Sequence, residues 1–266
     1  MTYEFFSFYN EFDMLELKLQ EHDAYVDQFV ITESNRTYNQ IDKPYRMEHQ
    51  WQRYSKWHHK IKYSKFDANG LEPGWPTEKA QRAWSISQTD LQAEDIMVIS
   101  DLDEFLTPRD WDNLMANIDR GNTGVLFEMQ CYWCHANILH RSRQQALAAV
   151  KKKNYANPER HRRPQQVFDK LQDPCVDTLV LQGGVHLTWM GDRETFEQKL
   201  MGSIEGHSWS RGRTPAEMWN EKIENSLFWH TAKFKKSKLE IVALKDNTMF
   251  TDSMKAFIAK QKHWLL

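Results

Sequence analysis

Three carboxylates follow directly on an apolar run. Ile96–Ser100 has the composition of a buried strand, and Asp101, Asp103 and Glu104 come immediately after it. Like charges this close repel and raise one another's pKa, so the cluster needs water, partial protonation or a neutralising cation. In an α/β protein the carboxyl end of a central strand is where ligands bind. This strand end is therefore the first candidate site.

The start of the chain predicts a β-α-β unit. Tyr3–Phe8 is a candidate strand, and Asn10 is a plausible N-cap for the helix that follows. Apolar side chains at helical spacing run from Phe12 to Leu19, and Val26–Ser34 is a second apolar run that ends in polar residues. Such units form parallel sheets whose strands end at one shared edge.

The later chain adds further elements. Thr77–Leu91 is predicted as a helix that leads to the acidic strand, and Gly124–Trp133 as another strand. Pro215–Ala232 and Lys238–Trp264 are predicted to be helical. The expected fold class is therefore α/β, with a helical C-terminal region.

Composition limits the function classes. The 266 residues are 40% hydrophobic, enough for one domain over 1–266. The net charge of −2 and pI near 6.6 give no general attraction to nucleic acid or anionic membranes. No apolar segment reaches the roughly 18 residues of a membrane span, and no basic region precedes an apolar run at the N-terminus. We expect no integral membrane segment, no nucleic-acid partner and a cytoplasmic location.

The pair Asp101 and Asp103 forms a D-x-D motif. On extended chain, residues two apart point to the same side, and their oxygens suit Mn²⁺ or Mg²⁺ together with waters and phosphate oxygens. The chain has neither a GxxxxGK[ST] nor a GxGxxG phosphate loop. A metal ion on the two aspartates would replace those loops. This combination is typical of a nucleotide-sugar transferase.

Three segments resemble glycosyltransferase family 17. They are FFSFYNEFDMLELKLQEHDAYVDQFVITESNRTYNQIDKP near the start, VISDLDEF, and GGVHLTWMG further on. Val185 stands where the family has Trp, and Lys18 where it has Arg. The resemblance implies a GT-A fold, with a Rossmann-like, mostly parallel central sheet flanked by helices. It also implies a nucleotide-sugar half (1–110) and an acceptor half (111–266), a UDP-GlcNAc donor, and Mn²⁺ or Mg²⁺.

The same resemblance suggests donor-binding residues besides Asp101. They are Asn10, Glu11, Glu33, Ser34 and Arg82. Asn10 can equally be only a helix cap, and Ser34 only a turn residue. A carboxylate at the position of Glu33, ending a central strand, needs a donor such as a ribose hydroxyl or a uracil N–H. Arg82 either reaches the diphosphate or pairs with the acidic cluster.

Catalytic and metal residues are expected near GGVH. An inverting transfer needs a base for the acceptor hydroxyl, and Asp192 and Glu194 are candidates, although acids at a helix start also act as caps. His186 and His207 compete as third metal ligand; His186 is preferred because two glycines beside it leave room for a ligand. Trp189 either stacks on a sugar or fills the core.

A basic segment, Arg141–Gln166, carries eight Lys or Arg against one acid. Its main interpretation is a solvated surface. Its functional interpretation is contact with the acceptor through residues such as Lys152 and Arg162. It lacks the aromatic interleaving of a nucleic-acid site.

We predict a metal-dependent, inverting transferase that moves N-acetylglucosamine from UDP-GlcNAc to a glycan acceptor. Three alternatives remain open. They are the same fold with another nucleotide-hexose donor, a catalytically silent nucleotide- or carbohydrate-binding protein, and a nucleotidyltransferase.

Overall fold

The fold is given by a computed structural model that describes residues 1–156, 162, 178–203, 213–224 and 239–265. The strands are β1 Thr2–Phe8, β2 Gln28–Ser34, β3 Ile61–Phe66, β4 Ile96–Ile99, β5 Glu104–Phe105, β6 Gly124–Trp133, β7 Ile138–Lys151, β8 Thr178–Thr188 and β9 Leu239–Ile241. The α-helices are α1 Phe12–His22, α2 Trp75–Ser87, α3 Pro108–Asp119, α4 Arg193–Gly202, α5 Pro215–Glu224 and α6 Asp252–Ile258. Four 3-10 segments of the described chain are Met47–Trp57, Lys152–Asn154, Leu244–Asp246 and Lys262–Trp264.

All nine strands of the described residues belong to one sheet in the order β3-β2-β1-β4-β7-β6-β8-β5, with β9 paired to β7. The strands from β3 to β4 are parallel, as the β-α-β pattern predicts. β7 is antiparallel to β6, because a short connection after β6 turns the chain straight back, and it is antiparallel to β4 as well. The sheet is therefore mixed rather than mostly parallel. Apolar patterns indicate that a strand exists, but they do not specify its partner.

Helix α1 packs its leucines against the first half of the sheet. Leu15, Leu17 and Leu19 are fully buried. The helix begins at Phe12 with Glu11 in the N-cap position, so the prediction of Asn10 as the cap is wrong. The Asn10 side chain instead donates from Nδ2 to Oε1 of Gln198, at 2.6 Å.

Helix α2 begins two residues earlier than predicted, at Trp75, and ends at Ser87. Gly74 precedes it with φ of +84°, a conformation that glycine adopts without strain. Thr77 lies inside the first turn, where its Oγ1 donates to the carbonyl of Glu72 at 2.6 Å. The helix turns Gln81 and Arg82 towards the sheet, and both are buried.

The C-terminal region is helical only in part. In the described part of Pro215–Ala232, residues Pro215–Glu224 form a helix as predicted, but Lys238–Trp264 differs from the prediction. Leu239–Ile241 is a strand on β7, and only Asp252–Ile258 forms an α-helix in the described part of Lys238–Trp264. The apolar residues Leu239 and Ile241 suit an edge strand as well as a helix. Because β4 pairs only with the C-terminal end of β7, the N-terminal end of β7 is open to a further strand, and this decides for the strand. In the described residues no helix is long and apolar enough to cross a membrane.

Candidate functional site

A cavity of about 590 Å³ opens at the edge of the sheet where the parallel strands end. The chain segments that follow β1, β2 and β4 form one side of it, and β8 with α4 forms the other. Its lining includes Tyr9, Ser34, Asp101, Asp103, His186 and Lys199. The D-x-D motif thus lies where the sequence predicts, in a cavity large enough for a small ligand.

A buried lysine of helix α1 holds the D-x-D turn in place. Lys18 is fully buried, and its Nζ donates to the carbonyls of Asp101 (3.3 Å) and Glu104 and to Oγ of Ser100 (3.2 Å). The same Nζ lies 2.8 Å from Oε1 of Glu4, which is also fully buried. A buried charge is tolerated only when paired and hydrogen-bonded. This lysine therefore fixes the backbone of the turn.

His22 completes the buried network. Its Nδ1 lies 2.8 Å from Oε2 of Glu4, and its Nε2 accepts from the backbone N–H of Leu106 at 3.1 Å. Burial lowers the pKa of His22 and outweighs the attraction of Glu4. Burial alone would raise the pKa of Glu4, but His22 and Lys18 lower it to about 2. The network is a neutral histidine beside a carboxylate–ammonium pair.

Two arginines neutralise the first aspartate of the motif. Arg162 donates two hydrogen bonds to the Asp101 carboxylate, from Nη1 to Oδ1 at 2.8 Å and from Nη2 to Oδ2 at 2.9 Å. Arg82 donates from Nη2 to Oδ1 of Asp101 at 3.0 Å. Burial raises the pKa of Asp101, but Arg162 and then Arg82 hold it well below its usual range. The cation that the cluster requires is thus supplied by the protein itself.

Arg162 also binds the third carboxylate of the cluster. Its Nη2 lies 2.5 Å from Oε1 of Glu104, while Oε2 of Glu104 accepts from the backbone N–H of Asp101 at 2.9 Å. Burial raises the pKa of Glu104. Arg162 lowers it, but the negative charge of Asp101 raises it further, and the pKa stays above its usual value. Arg162, predicted to contact the acceptor, therefore lies on the D-x-D turn.

Asp103 faces a different set of cations. Strand β5 pairs with β8 so that Glu104 is opposite His186, and this register brings His186 Nε2 to 3.3 Å from Asp103 Oδ1. On the other side, Lys199 of α4 lies 3.8 Å from Oδ2 of Asp103 and 3.0 Å from Oε1 of Glu11. Burial lowers the pKa of His186, but Asp103 raises it well above its usual range.

The two glycines before His186 serve the backbone and not a ligand. A Cβ on Gly183 would lie 2.3 Å from Oδ1 of Asp110, and one on Gly184 would lie 2.7 Å from the carbonyl oxygen of Phe105. Gly184 also has φ of +72°. The room that the sequence suggests for a ligand is therefore filled by neighbouring protein atoms.

Asp103 and His186 are the pair best suited to hold a divalent ion, which would take the place of the proton that Asp103 favours on His186. Two ligands of a six-coordinate ion bound at about 2.1 Å lie about 3 Å apart, close to the 3.3 Å between Asp103 Oδ1 and His186 Nε2. In the described residues no group of three His, Cys, Asp or Glu could hold a metal ion. The fit is therefore to an ion that takes its remaining ligands from water and phosphate, as Mg²⁺ and Mn²⁺ commonly do.

Only some of the other residues predicted to bind the sugar donor line the cavity. Ser34 and Glu11 line the cavity, whereas Asn10 and Glu33 do not. Glu33 is fully buried, and its oxygens accept from two backbone N–H groups, of Arg46 at 2.8 Å and Met47 at 3.1 Å, and from the Tyr63 hydroxyl at 2.8 Å. Its requirement for donors is thus met inside the protein.

The candidate bases lie at the start of α4 and outside the cavity lining. Asp192 caps the helix by accepting from Thr195 N at 2.9 Å, and Glu194 accepts from Nε2 of Gln198 at 3.0 Å. This is the capping interpretation that the sequence left open.

The remaining predicted residues also differ in position. Trp189 lines the cavity but is only 8% exposed, and its ring packs against Trp133 and Phe196. Lys152 lies over the Tyr155 ring, away from the cavity lining. His207 lies outside the described residues.

Lys18 and Lys199 are site residues that sequence reasoning missed. Lys18 interrupts the buried face of α1, between Leu15 and Leu19. A lysine on a face that must be buried is a signal for a specific anionic partner. Lys199 gives no such signal, because its place depends on how α4 docks against the first turn of the chain.

A family model described as glycosyltransferase family 17 matches residues 2–168, and no curated protein sequence matches the chain. Among solved structures, 4-diphosphocytidyl-2C-methyl-D-erythritol synthase from Anaerococcus prevotii has 11% identity and a TM-score of 0.45, covering 69% of this chain and 87% of its own. A candidate nucleotide-diphospho-sugar transferase from Desulfovibrio desulfuricans has 9% identity and a TM-score of 0.41, covering 83% and 94%.

Proposed function

The chain belongs to glycosyltransferase family 17, and from that premise we propose that its cavity binds a nucleotide sugar and transfers the sugar to a glycan acceptor. The observation that carries the proposal is the position of the D-x-D turn. Asp103 faces the cavity beside His186, on a backbone that the buried Lys18 holds in place. Family membership supports transferase activity, and this geometry supports a site for a diphosphate.

The nucleoside is proposed to occupy the side formed by the ends of β1 and β2. There the Nζ of Lys43 lies 5.3 Å from the centre of the Tyr9 ring, and Ser34 and Tyr38 also line the wall. An aromatic ring with nearby polar groups suits a base and a ribose. UDP is the proposed nucleotide because of the family resemblance; UDP-GlcNAc is the proposed donor for the same reason.

The diphosphate is proposed to lie against Asp103 and His186, which would hold Mn²⁺ or Mg²⁺. When bound, the ion supplies charge neutralisation for the diphosphate and makes it a better leaving group. Asp101 has a different part in this proposal. Because both its oxygens are gripped by Arg162, it positions that guanidinium at the cavity wall. Arg162 and Arg82 then keep the acidic turn close to electrical balance.

The transfer is proposed to invert the anomeric carbon. The acceptor oxygen attacks from the face opposite the diphosphate, the bond from carbon to phosphate oxygen breaks, and UDP leaves with the electron pair. The acceptor is proposed to enter from the side of β8 and α4. Gln144, Thr188 and Trp189 line the cavity there.

The test is donor hydrolysis followed by proton NMR. UDP-GlcNAc, UDP-glucose, UDP-galactose and GDP-mannose are each incubated with the protein and Mn²⁺. We expect slow release of sugar from UDP-GlcNAc, first as the β-anomer because its donor bond is α. Preference for another hexose would change the donor but keep the class. No hydrolysis of any donor, with no binding, would favour a silent binding protein.

A further inference from the structure

Lys199 is a largely shielded cation at the junction of the two sides of the cavity. Its Nζ lies 3.0 Å from Oε1 of Glu11 and 3.8 Å from Oδ2 of Asp103, and its side chain is 10% exposed. It lines the same cavity as the D-x-D motif. A side chain from the predicted acceptor half (111–266) thus contacts residues of the predicted nucleotide-sugar half (1–110).

The contact is built by two adjacent residues of α4. Oε2 of Glu11 accepts from the backbone N–H groups of Tyr9 (3.1 Å) and Asn10 (3.0 Å), which leaves Oε1 for Lys199. Next to Lys199, Gln198 accepts from the Asn10 side chain at 2.6 Å. The helix is therefore fixed against the turn after β1, and the ammonium has a defined place.

The ammonium group of Lys199 has fewer hydrogen-bond acceptors around it than that of Lys18. A lysine has three N–H donors. Lys18 has four oxygens around its Nζ, those of Glu4, Ser100, Asp101 and Glu104, the longest at 3.3 Å. In the described part of the chain, Lys199 has one oxygen at hydrogen-bond distance, and Asp103 at 3.8 Å is beyond it. Donor capacity is left for a ligand in the cavity.

The ligand that fits is an anion next to Asp103. An ammonium 3.8 Å from a carboxylate that faces a cavity attracts a phosphate oxygen more strongly than a neutral group does, because charge-assisted hydrogen bonds are the stronger class. The same Nζ is already paired with Oε1 of Glu11, so little side-chain ordering would remain when a phosphate binds.

We propose that Lys199 binds the terminal phosphate of the nucleotide diphosphate and stabilises it as the leaving group. This inference rests on the proposed function, since it assigns a partner to the donor's diphosphate. In the transfer the acceptor oxygen bonds to the anomeric carbon as the bond from that carbon to the phosphate oxygen breaks. The electron pair passes to that phosphate oxygen, which accepts a hydrogen bond from Lys199. The ammonium keeps its proton, and the proton of the acceptor hydroxyl passes to water in the cavity, which acts as the base.

The experiment compares UDP with uridine. Isothermal titration in Mn²⁺ gives the Kd of each ligand for the full chain and for Lys199→Met, Lys199→Arg and Lys60→Met. Lys60 is the matched control, because its Nζ pairs with Asp23 at 3.1 Å before β3, at the opposite edge of the sheet. Thermal unfolding of each variant checks that the fold is kept.

The proposal predicts that Lys199→Met weakens UDP roughly 10- to 100-fold and leaves uridine unchanged, so the ratio of the two affinities falls. Lys199→Arg restores most of the loss, and Lys60→Met changes neither ligand. If Lys199→Met binds UDP as the wild type does, or loses UDP and uridine equally, the proposal is wrong and the proposed function stands. If the wild type binds no UDP, both fall.

Discussion

Two clusters of charged side chains lie on opposite sides of the D-x-D turn, and they differ in how completely they are paired. Below the turn, Glu4, Lys18 and His22 are fully buried, and Glu4 lies 2.8 Å from both Lys18 Nζ and His22 Nδ1. Above it, Asp103 has its cations at 3.3 and 3.8 Å. The lower cluster is complete without a ligand, whereas the upper cluster faces a cavity with loose contacts.

This difference separates structural charges from functional ones. A buried charge that is fully paired stabilises one backbone conformation, and removing its partner leaves an uncompensated charge. A charge that is loosely paired at a cavity can exchange its partner for a ligand at low cost. Changes below the turn should therefore affect folding first, and changes above it should affect ligand binding.

The largest effect is expected from Lys18→Met. It leaves Glu4 without its ammonium and the turn carbonyls without a donor, and we expect the free energy of unfolding to fall by about 3–5 kcal/mol. Urea denaturation measures it. In the double variant with Glu4→Gln the loss should be smaller than the sum of the two single losses. A change below about 1 kcal/mol for Lys18→Met would show that the lower cluster is not the support of the turn.

The next effect is the acid dependence of stability. The pKa of Glu4 is about 2 in the folded protein against an ordinary 4.5. Because the folded value is depressed, its contribution is present above pH 4.5 and is lost as the pH falls towards 2. In urea denaturation from pH 6 to pH 2.5, Glu4→Gln should flatten the fall in stability. The exposed Glu48→Gln serves as control and should leave the curve as in the wild type.

Above the turn, Asp103→Asn should act on binding. We expect the UDP affinity in Mn²⁺ to fall by about tenfold or more, with a change in stability of less than about 1 kcal/mol. The exposed Asp112→Asn on α3 is the matched control. Unchanged UDP affinity in Asp103→Asn would remove the metal assignment from this aspartate.

The smallest effect is expected at Lys152, which belongs to neither cluster. Lys152→Glu should change donor hydrolysis by less than about twofold, because its Nζ lies over the Tyr155 ring and away from the cavity lining. A clear loss of hydrolysis would place the basic segment at the donor, against the division between donor and acceptor sides.

Local pattern predicts the parallel half of this fold and the position of the D-x-D turn. The alternation of apolar strands and an amphipathic helix from Tyr3 to Ser34 is a short-range signal, and the structure confirms it. The pairing of β7 between β4 and β6, and the strand at Leu239–Ile241, depend on which edges are free. Such long-range choices leave no mark in local periodicity.

The residues of the candidate site likewise fall into those that local sequence predicts and those that depend on tertiary packing. Asp101 and Asp103 are recognisable because acids directly follow an apolar strand. The nearness of His186 depends on the β5–β8 register, and that of Arg162 and Lys199 on packing between segments far apart in sequence. Glu33 shows the opposite case. Its carboxylate resembles a ligand group in the sequence, but backbone N–H groups and Tyr63 already satisfy it.

The central claim is that the cavity at the D-x-D turn binds a nucleotide sugar with a divalent ion. Calorimetric titration of UDP-GlcNAc into the wild-type protein, first with Mn²⁺ and then with a chelator, tests it most directly. We predict saturable binding that requires Mn²⁺. Equal binding in chelator would contradict the metal site on Asp103 and His186, and no binding under either condition would contradict the donor site itself.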